Sequence, residues 1–436
     1  MPSPEAPPPE RAGWLARAWT RLKAHPLAHV GPGLITGVAD DDPSGIATYS
    51  QAGAQYGLDM LWTMPLALPL MGAVQQICAQ IGRVTGKGLA ANIKDAFPPI
   101  VVRAVVGLLL IANTLNISAD IAAMGESAEL ITGIDRHLMT VVFVALTLGL
   151  QILVPYHRYV SFLKWLTVSL LAYVAVLFMV RVDWSQVALH TVLPAFKLDA
   201  TSATVVTGIF GTTISPYLFF WQASEEVEDM QAAHHRSLLL DGKAAVPELR
   251  RIRWDTWSGM FYSNLTAYFI ILATGVTLHV AGVTDIKSAA DAARTLGPVA
   301  GPGAKYVFAI GIFGVGLIGV PVLAGSGAYA LAEAMGWKEG LERKAGDARG
   351  FYGVIAVSVL AALVIQYSPI DPMKALFWSA VINGVVAVPL MAVIMLLASR
   401  KSVLGRYRAG PILLTLGWIG TGVMALTALA MFLPGQ

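Results

Sequence analysis

Apolar runs long enough to cross a bilayer, about 20 residues each, follow one another from Gly31 almost to the C-terminus. Divided at glycine, proline and charged residues, they fall at 31–56, 60–84, 99–132, 137–154, 160–181, 204–226, 255–281, 303–335, 350–367, 373–398 and 410–433. Backbone in hydrocarbon must satisfy its own hydrogen bonds, which runs of this length do as helices. The pattern predicts an all-α polytopic membrane protein with 11 transmembrane helices.

The first and sixth runs are interrupted. Run 1 carries Gly33 and Gly37, then Asp42-Pro43; run 6 carries Gly208 and Gly211, then Ser215-Pro216. Each break sets a polar residue before a proline, which removes a backbone donor and crowds the preceding turn. Carbonyls freed at membrane depth are tolerated where they line a cavity. A five-helix unit re-enters the membrane upside down, so matched breaks in runs 1 and 6 predict a 5+5 inverted repeat. Its halves are 31–182 and 204–399, with 410–433 as an extra helix. Such paired breaks point to a transporter's substrate site.

Charge sets the orientation. Lys and Arg concentrate in alternate connections, among them Arg83/Lys87/Lys94, Arg250/Arg251/Arg253 and Arg400/Lys401/Arg406/Arg408. The positive-inside rule then predicts a plasma-membrane protein with its N-terminus in the cytoplasm and its C-terminus outside. Residues 1–30 read as a Pro-rich, then basic, cytoplasmic segment; a helix on the membrane surface and a solvated tail both fit it. Of the 436 residues 56% are hydrophobic and 13% charged, against roughly 25% charged in soluble domains, so the bilayer is the main solvent. The net charge of +3 is scattered, which gives nucleic-acid binding no support. The single cysteine, Cys78, cannot form an intramolecular disulfide. Enzyme motifs are absent, so neither catalysis nor a cofactor is expected. A monomer is expected.

The first break holds Asp40, Asp41 and Asp42. An aspartate at a helix centre costs roughly 2.5–3.5 kcal/mol on insertion scales. Asp42 alone fits a helix cap; three carboxylates in a turn and a half create a field that suits a cation. Nearby donors are the hydroxyls of Ser44, Thr48, Thr212, Thr213 and Ser215 and the freed carbonyls of Ala39 and Thr212. All are oxygens, suiting magnesium, manganese or calcium, and neither break contains Cys, Met or His.

At these residues the chain resembles the Nramp family of proton-coupled divalent-metal transporters, which have the LeuT-type fold. The resemblance covers nearly the whole chain: Gly31-Pro32-Gly33, the Asp-Pro break followed by Ala47-Thr48 and Ala52-Gly53-Ala54-Gln55-Tyr56-Gly57, the Ser215-Pro216 break and a Gly-rich eighth run. It implies that Asp42 is the metal-binding aspartate and that Ala39 and Thr212 offer carbonyls. The family's Asp-Pro-Gly-Asn reads Asp42-Pro43-Ser44-Gly45, without the metal-binding asparagine, and its Met-Pro-His reads Ser215-Pro216-Tyr217, without the thioether and the histidine. Asp120 matches a proton-pathway aspartate, while the acid expected three positions later is Ala123. This pattern resembles the Nramp-related branch, whose members resemble magnesium transporters, and implies a wider, harder site for a partly hydrated ion.

The candidate metal ligands are therefore Asp42, Ala39, Thr212, Ser215, Asp41, Asp40 and Ser44. Asn383 joins them because it lies near where the family contributes a polar side chain; Pro43, Gly45 and Pro216 shape the breaks. Candidates for the ion or proton pathway are Asp120 and Asn113, in a stripe with Asn116, Ser118 and Glu126 that reads equally as an interhelical seam. Tyr217, Gln222 and Glu225 are further pathway candidates; Glu225, Glu226 and Glu228 read as an inner vestibule or as a solvated acidic end.

The leading expectation is a secondary transporter that carries magnesium and/or manganese into the cytoplasm by alternating access, weakly or not proton-coupled. A proton-coupled manganese or iron transporter is the alternative. An amino-acid or organic-cation permease of the same fold fits less well, because three acids would repel a substrate carboxylate. An ion channel would need several subunits or a ring of charges.

Overall fold

Proline decides where the chain's first membrane element breaks. Asp42 precedes Pro43 and is held in extended backbone, φ −67° and ψ 172°, because the proline ring crowds a helical residue before it. Helix α1 (Pro32–Asp40) therefore stops, and α2 (Pro43–Tyr56) starts afresh. Pro43 stands in its first turn, where no backbone donor is needed. The computed structural model describes residues 32–154, 163, 165–194, 199–242, 245–367 and 371–432. The N-terminal segment 1–30 and the start of the fifth run, 160–162, lie outside them.

The chain continues through α3 (Thr63–Thr85), a short α4 (Leu89–Ala96), α5 (Pro99–Thr132) and α6 (Arg136–Leu153). A 3-10 turn (Leu166–Leu170) leads into α7 (Leu171–Met179), followed by the short α8 (Trp184–Val192). Next come α9 (Ala200–Thr213), α10 (Pro216–Ala232) and α11 (Ala245–Thr274). The remaining long helices are α12 (Ala304–Met335), α13 (Arg349–Ile365), α14 (Pro372–Ala398) and α15 (Pro411–Ala430). Among the described residues no strand occurs, and eight helical stretches are long and apolar enough to cross a membrane. The fifth and ninth runs are shorter apolar helices, Leu166–Met179 and Arg349–Ile365.

Three boundaries differ from the expectation for identifiable reasons. The sixth run starts earlier because Asp199 and Ser202 close a capping box ahead of α9. It also continues to Ala232, through an acidic stretch whose Glu226 pairs with Arg251 at 2.5 Å. The seventh begins at Ala245, so Arg250, Arg251 and Arg253 are helical and not loop.

The break in the sixth run repeats the logic of the first. Ser215 is extended, φ −80° and ψ 128°, and Pro216 opens α10. Around the two breaks the helices meet through glycine. A side chain at Gly37 of α1 would overlap the backbone of Gly259 on α11, and one at Gly211 of α9 would overlap Ala380 and Gly384 on α14. Without side chains in the way, these backbones touch, which is how helices associate where no hydrophobic drive separates them from lipid. Helices α5 and α12 pack along each other beside the broken pair. The breaks thereby sit inside the bundle.

Candidate functional site

Asp42 is 1% exposed and fully engaged. Its Oδ1 accepts the Ser44 hydroxyl at 2.6 Å and the Gly45 N–H at 2.8 Å, capping α2. Its Oδ2 accepts the Asn116 side-chain amide of α5 at 2.8 Å and the Tyr217 hydroxyl of α10 at 3.4 Å. That hydroxyl also lies 3.1 Å from the Ala39 carbonyl oxygen. One O–H group from the second break thus spans the carbonyl left at the end of α1 and the carboxylate at the start of α2. Gly319 of α12 brings another helix against the same aspartate: a Cβ there would lie 3.1 Å from that of Asp42.

The second break faces the first. A Cβ on Gly45 would lie 3.0 Å from the Thr212 hydroxyl. Ser215 turns its own hydroxyl back to the carbonyls of Gly211 and Thr212, at 2.9 and 2.7 Å. The Thr212 carbonyl keeps its second lone pair, and the Ser215 oxygen keeps lone pairs of its own. Thr213 is engaged within α9, donating to the Ile209 carbonyl at 2.8 Å.

Asp40 and Asp41 do not join Asp42 as a three-carboxylate cluster. Both turn to α11, where the Ser263 hydroxyl donates to Asp40 and lies 3.2 Å from Asp41 Oδ1. Among the described residues no three Asp, Glu, His or Cys side chains converge as a metal-ligand group. The helix break is the reason: Asp40 closes α1, which packs on α11, whereas Asp42 opens α2 and reaches α5. Ser263, the residue that holds the pair, is not singled out by the sequence reading; its signal is the polar pair Ser263-Asn264 inside an apolar run.

Several buried polar atoms here have no hydrogen-bond partner: Asp40 Oδ1, Asp41 Oδ2, Asn116 Oδ1, both carboxylate oxygens of Asp120, and both amide atoms of Asn383. Buried polar groups ordinarily find partners, so these donors and acceptors have capacity for an ion or its water. Asp120 lies one helical turn along α5 from Asn116, the residue that donates to Asp42. Asn383 is next to Gly384, the residue that meets Gly211.

Other candidates fall elsewhere. Asn113 donates to the Leu323 carbonyl and to Ser326, both at 2.8 Å, and so stitches α5 to α12. Gln222 donates to Thr256 on α11 at 2.9 Å. Glu225 and Glu226 are 3% and 0% exposed, so the reading of a solvated acidic end is corrected. Arg251 holds Glu226, and Glu228 accepts the Tyr329 hydroxyl at 2.5 Å and the Leu341 N–H at 2.9 Å. A cavity of about 280 Å³ opens beside the far half of α2, walled by Gln51, Gln55, Asp285, Lys374 and Trp378, and reaches Ala47, one turn from the break. Gln51 straps the segment above it, donating to the Thr284 carbonyl at 3.1 Å and accepting the Ile286 N–H at 2.9 Å.

The sequence profile of the family described as Nramp, natural resistance-associated macrophage protein-like, matches residues 33–434. The divalent metal cation transporter MntH of Acidiphilium cryptum is 27% identical over 410 residues, covering 91% of this chain and 86% of its own. The MntH of Deinococcus radiodurans is 24% identical over 431 residues, covering 96% and 94%. Among solved structures, the Eremococcus coleocola manganese transporter superposes with a TM-score of 0.74 at 16% identity, over 98% of this chain and 88% of that one. The nucleobase-cation-symport-1 transporter Mhp1 superposes at 0.54 and 14%, over 92% of each. These likenesses establish a LeuT-like helical fold.

Proposed function

This chain belongs to the Nramp family, and from that premise we propose that it is a secondary transporter moving a hard divalent cation, magnesium or manganese, through the paired breaks. The observation that carries the reading is Asp42: a buried carboxylate at a helix break, facing the Ala39 carbonyl and the second break through one shared hydroxyl. The relatives named as divalent metal cation transporters, and the manganese transporter of similar fold, support the substrate class. The hydrogen-bond partners of Asp42 are hydroxyl and amide groups, and the oxygen ligands that its carboxylate and the freed Ala39 carbonyl offer favour magnesium and manganese over softer ions.

Transport runs by alternating access. Residues 31–182 and 204–399 act as the two inverted halves, and the broken pairs α1/α2 and α9/α10 rock against a scaffold that includes α5 and α12. The N-terminus lies in the cytoplasm and the C-terminus outside, in the plasma membrane of a monomer, so uptake runs from the cavity at Ala47 toward the Glu225 end of α10. A doubly charged ion gains about 2.3 kcal/mol per charge per 100 mV on moving inward, enough to drive uptake without protons.

A proton-coupled second reading is favoured by one observation, the fully buried carboxylate of Asp120 one turn along α5 from the residue that holds Asp42. Proteoliposomes loaded with a pH-sensitive dye decide between them. Uptake without acidification supports potential-driven transport, and metal-dependent acidification establishes coupling. In the same vesicles Asp42→Ala is expected to lose uptake while still folding; uptake retained by that variant would remove the site.

A further inference from the structure

We propose that Asn116 of α5 is a substrate-binding residue of the same site, presenting its side-chain oxygen to the cation or to a water the cation retains; this rests on the reading that Asp42 binds the ion. The side chain is 0% exposed. Its Nδ2 donates to Asp42 Oδ2 at 2.8 Å, while its Oδ1 is buried without a partner. The assignment of the two atoms follows from chemistry, since only the amide nitrogen can donate to a carboxylate. The oxygen therefore belongs to the same planar group that grips the metal-binding carboxylate, and it is held beside that carboxylate's outer oxygen. A neutral amide oxygen is a hard ligand that magnesium, manganese and calcium accept. Such an oxygen adds coordination without adding charge to a site that already holds the Asp42 carboxylate, with Asp120 one turn along α5. An amide kept only as a brace for Asp42 would not need its oxygen buried and unpaired, and the neighbouring Asn113 shows the contrast: its amide donates twice across the helix seam.

The test compares Asn116→Leu, Asn116→Asp and Asp42→Ala in proteoliposomes, measuring KM for magnesium and manganese together with the metal-induced rise in Tm of the purified protein. Asn116→Leu is expected to raise KM by about 10- to 100-fold and to shrink the metal-induced shift. Asn116→Asp keeps a ligand oxygen, so its KM is expected to stay within about threefold of wild type. Its Tm without metal should fall, because two carboxylates then face each other, and its metal-induced shift should grow. An unchanged KM for Asn116→Leu overturns the proposal. So does an equal loss in both variants, which would make the amide a brace for Asp42 alone. If Asn116→Leu does not fold, the metal-induced Tm shift of Asn116→Asp decides: a shift larger than wild type supports the proposal, and an unchanged or smaller shift, or a KM raised about tenfold or more, overturns it. Loss of transport in Asp42→Ala with normal transport in Asn116→Leu sinks only this inference; retained transport in Asp42→Ala sinks the underlying site reading as well.

Discussion

The Tyr217 hydroxyl stands 3.4 Å from the Asp42 carboxylate and 3.1 Å from the Ala39 carbonyl, tying the second broken helix to the first. Its single O–H is shared between the two groups that an arriving cation would claim. Removing it leaves buried oxygens with one donor fewer, at a cost of about 1–3 kcal/mol. Tyr217→Phe is therefore expected to lower the Tm of the metal-free protein and to enlarge the Tm rise on adding magnesium. An unchanged metal-free Tm would show that the hydroxyl carries no such role.

At the far end of α10, Arg251 holds the fully buried Glu226 at 2.5 Å and also lies 3.5 Å from Glu248, while Arg83 reaches Glu248 at 3.0 Å. The two partners are not equivalent. Deleting the arginine strands a buried carboxylate, which in buried pairs costs about 3–5 kcal/mol; Arg251 is 36% exposed, which places the loss toward the lower end. Neutralising the acid removes the charge that needed it. Thermal melts should show a larger loss for Arg251→Ala than for Glu226→Gln, and the reverse order would contradict the pairing.

Outside the membrane-spanning helices, Glu339 has its pKa pushed up to about 9, first by burial and then by the nearby carboxylates of Glu333 and Glu228. The sign follows from linkage. Between its unfolded value, roughly 4.3, and about 9 the folded state binds more protons than the unfolded one, so stability falls as pH rises through that window. Tm is expected to decline from pH 5 to pH 9, and Glu339→Gln is expected to flatten the decline. An identical slope in the variant would remove Glu339 as its source.

Much of this site is legible in the chain because its causes are local. A proline disfavours helical backbone in the residue before it, and an aspartate or serine there takes the extended conformation readily, so both breaks fall where the residue pattern puts them. Tertiary partners are another matter. Asp40 and Asp41 read as companions of Asp42 because they are adjacent in sequence, yet Ser263, more than two hundred residues away, turns them to α11. Glu226 reads as a solvated end because its arginine sits in what looks like a loop and is in fact the first turns of α11. Asn116 looks like one member of a polar stripe, and only the packing of α5 on the first break gives it Asp42 as a partner.

The measurement that bears most directly on the central claim is a cation competition series in proteoliposomes held at a fixed membrane potential, with manganese uptake as the readout. A site of carboxylate, carbonyl, hydroxyl and amide groups predicts that magnesium competes with manganese at apparent constants within about tenfold of each other. Cadmium or iron(II) preferred over both by orders of magnitude would contradict the account.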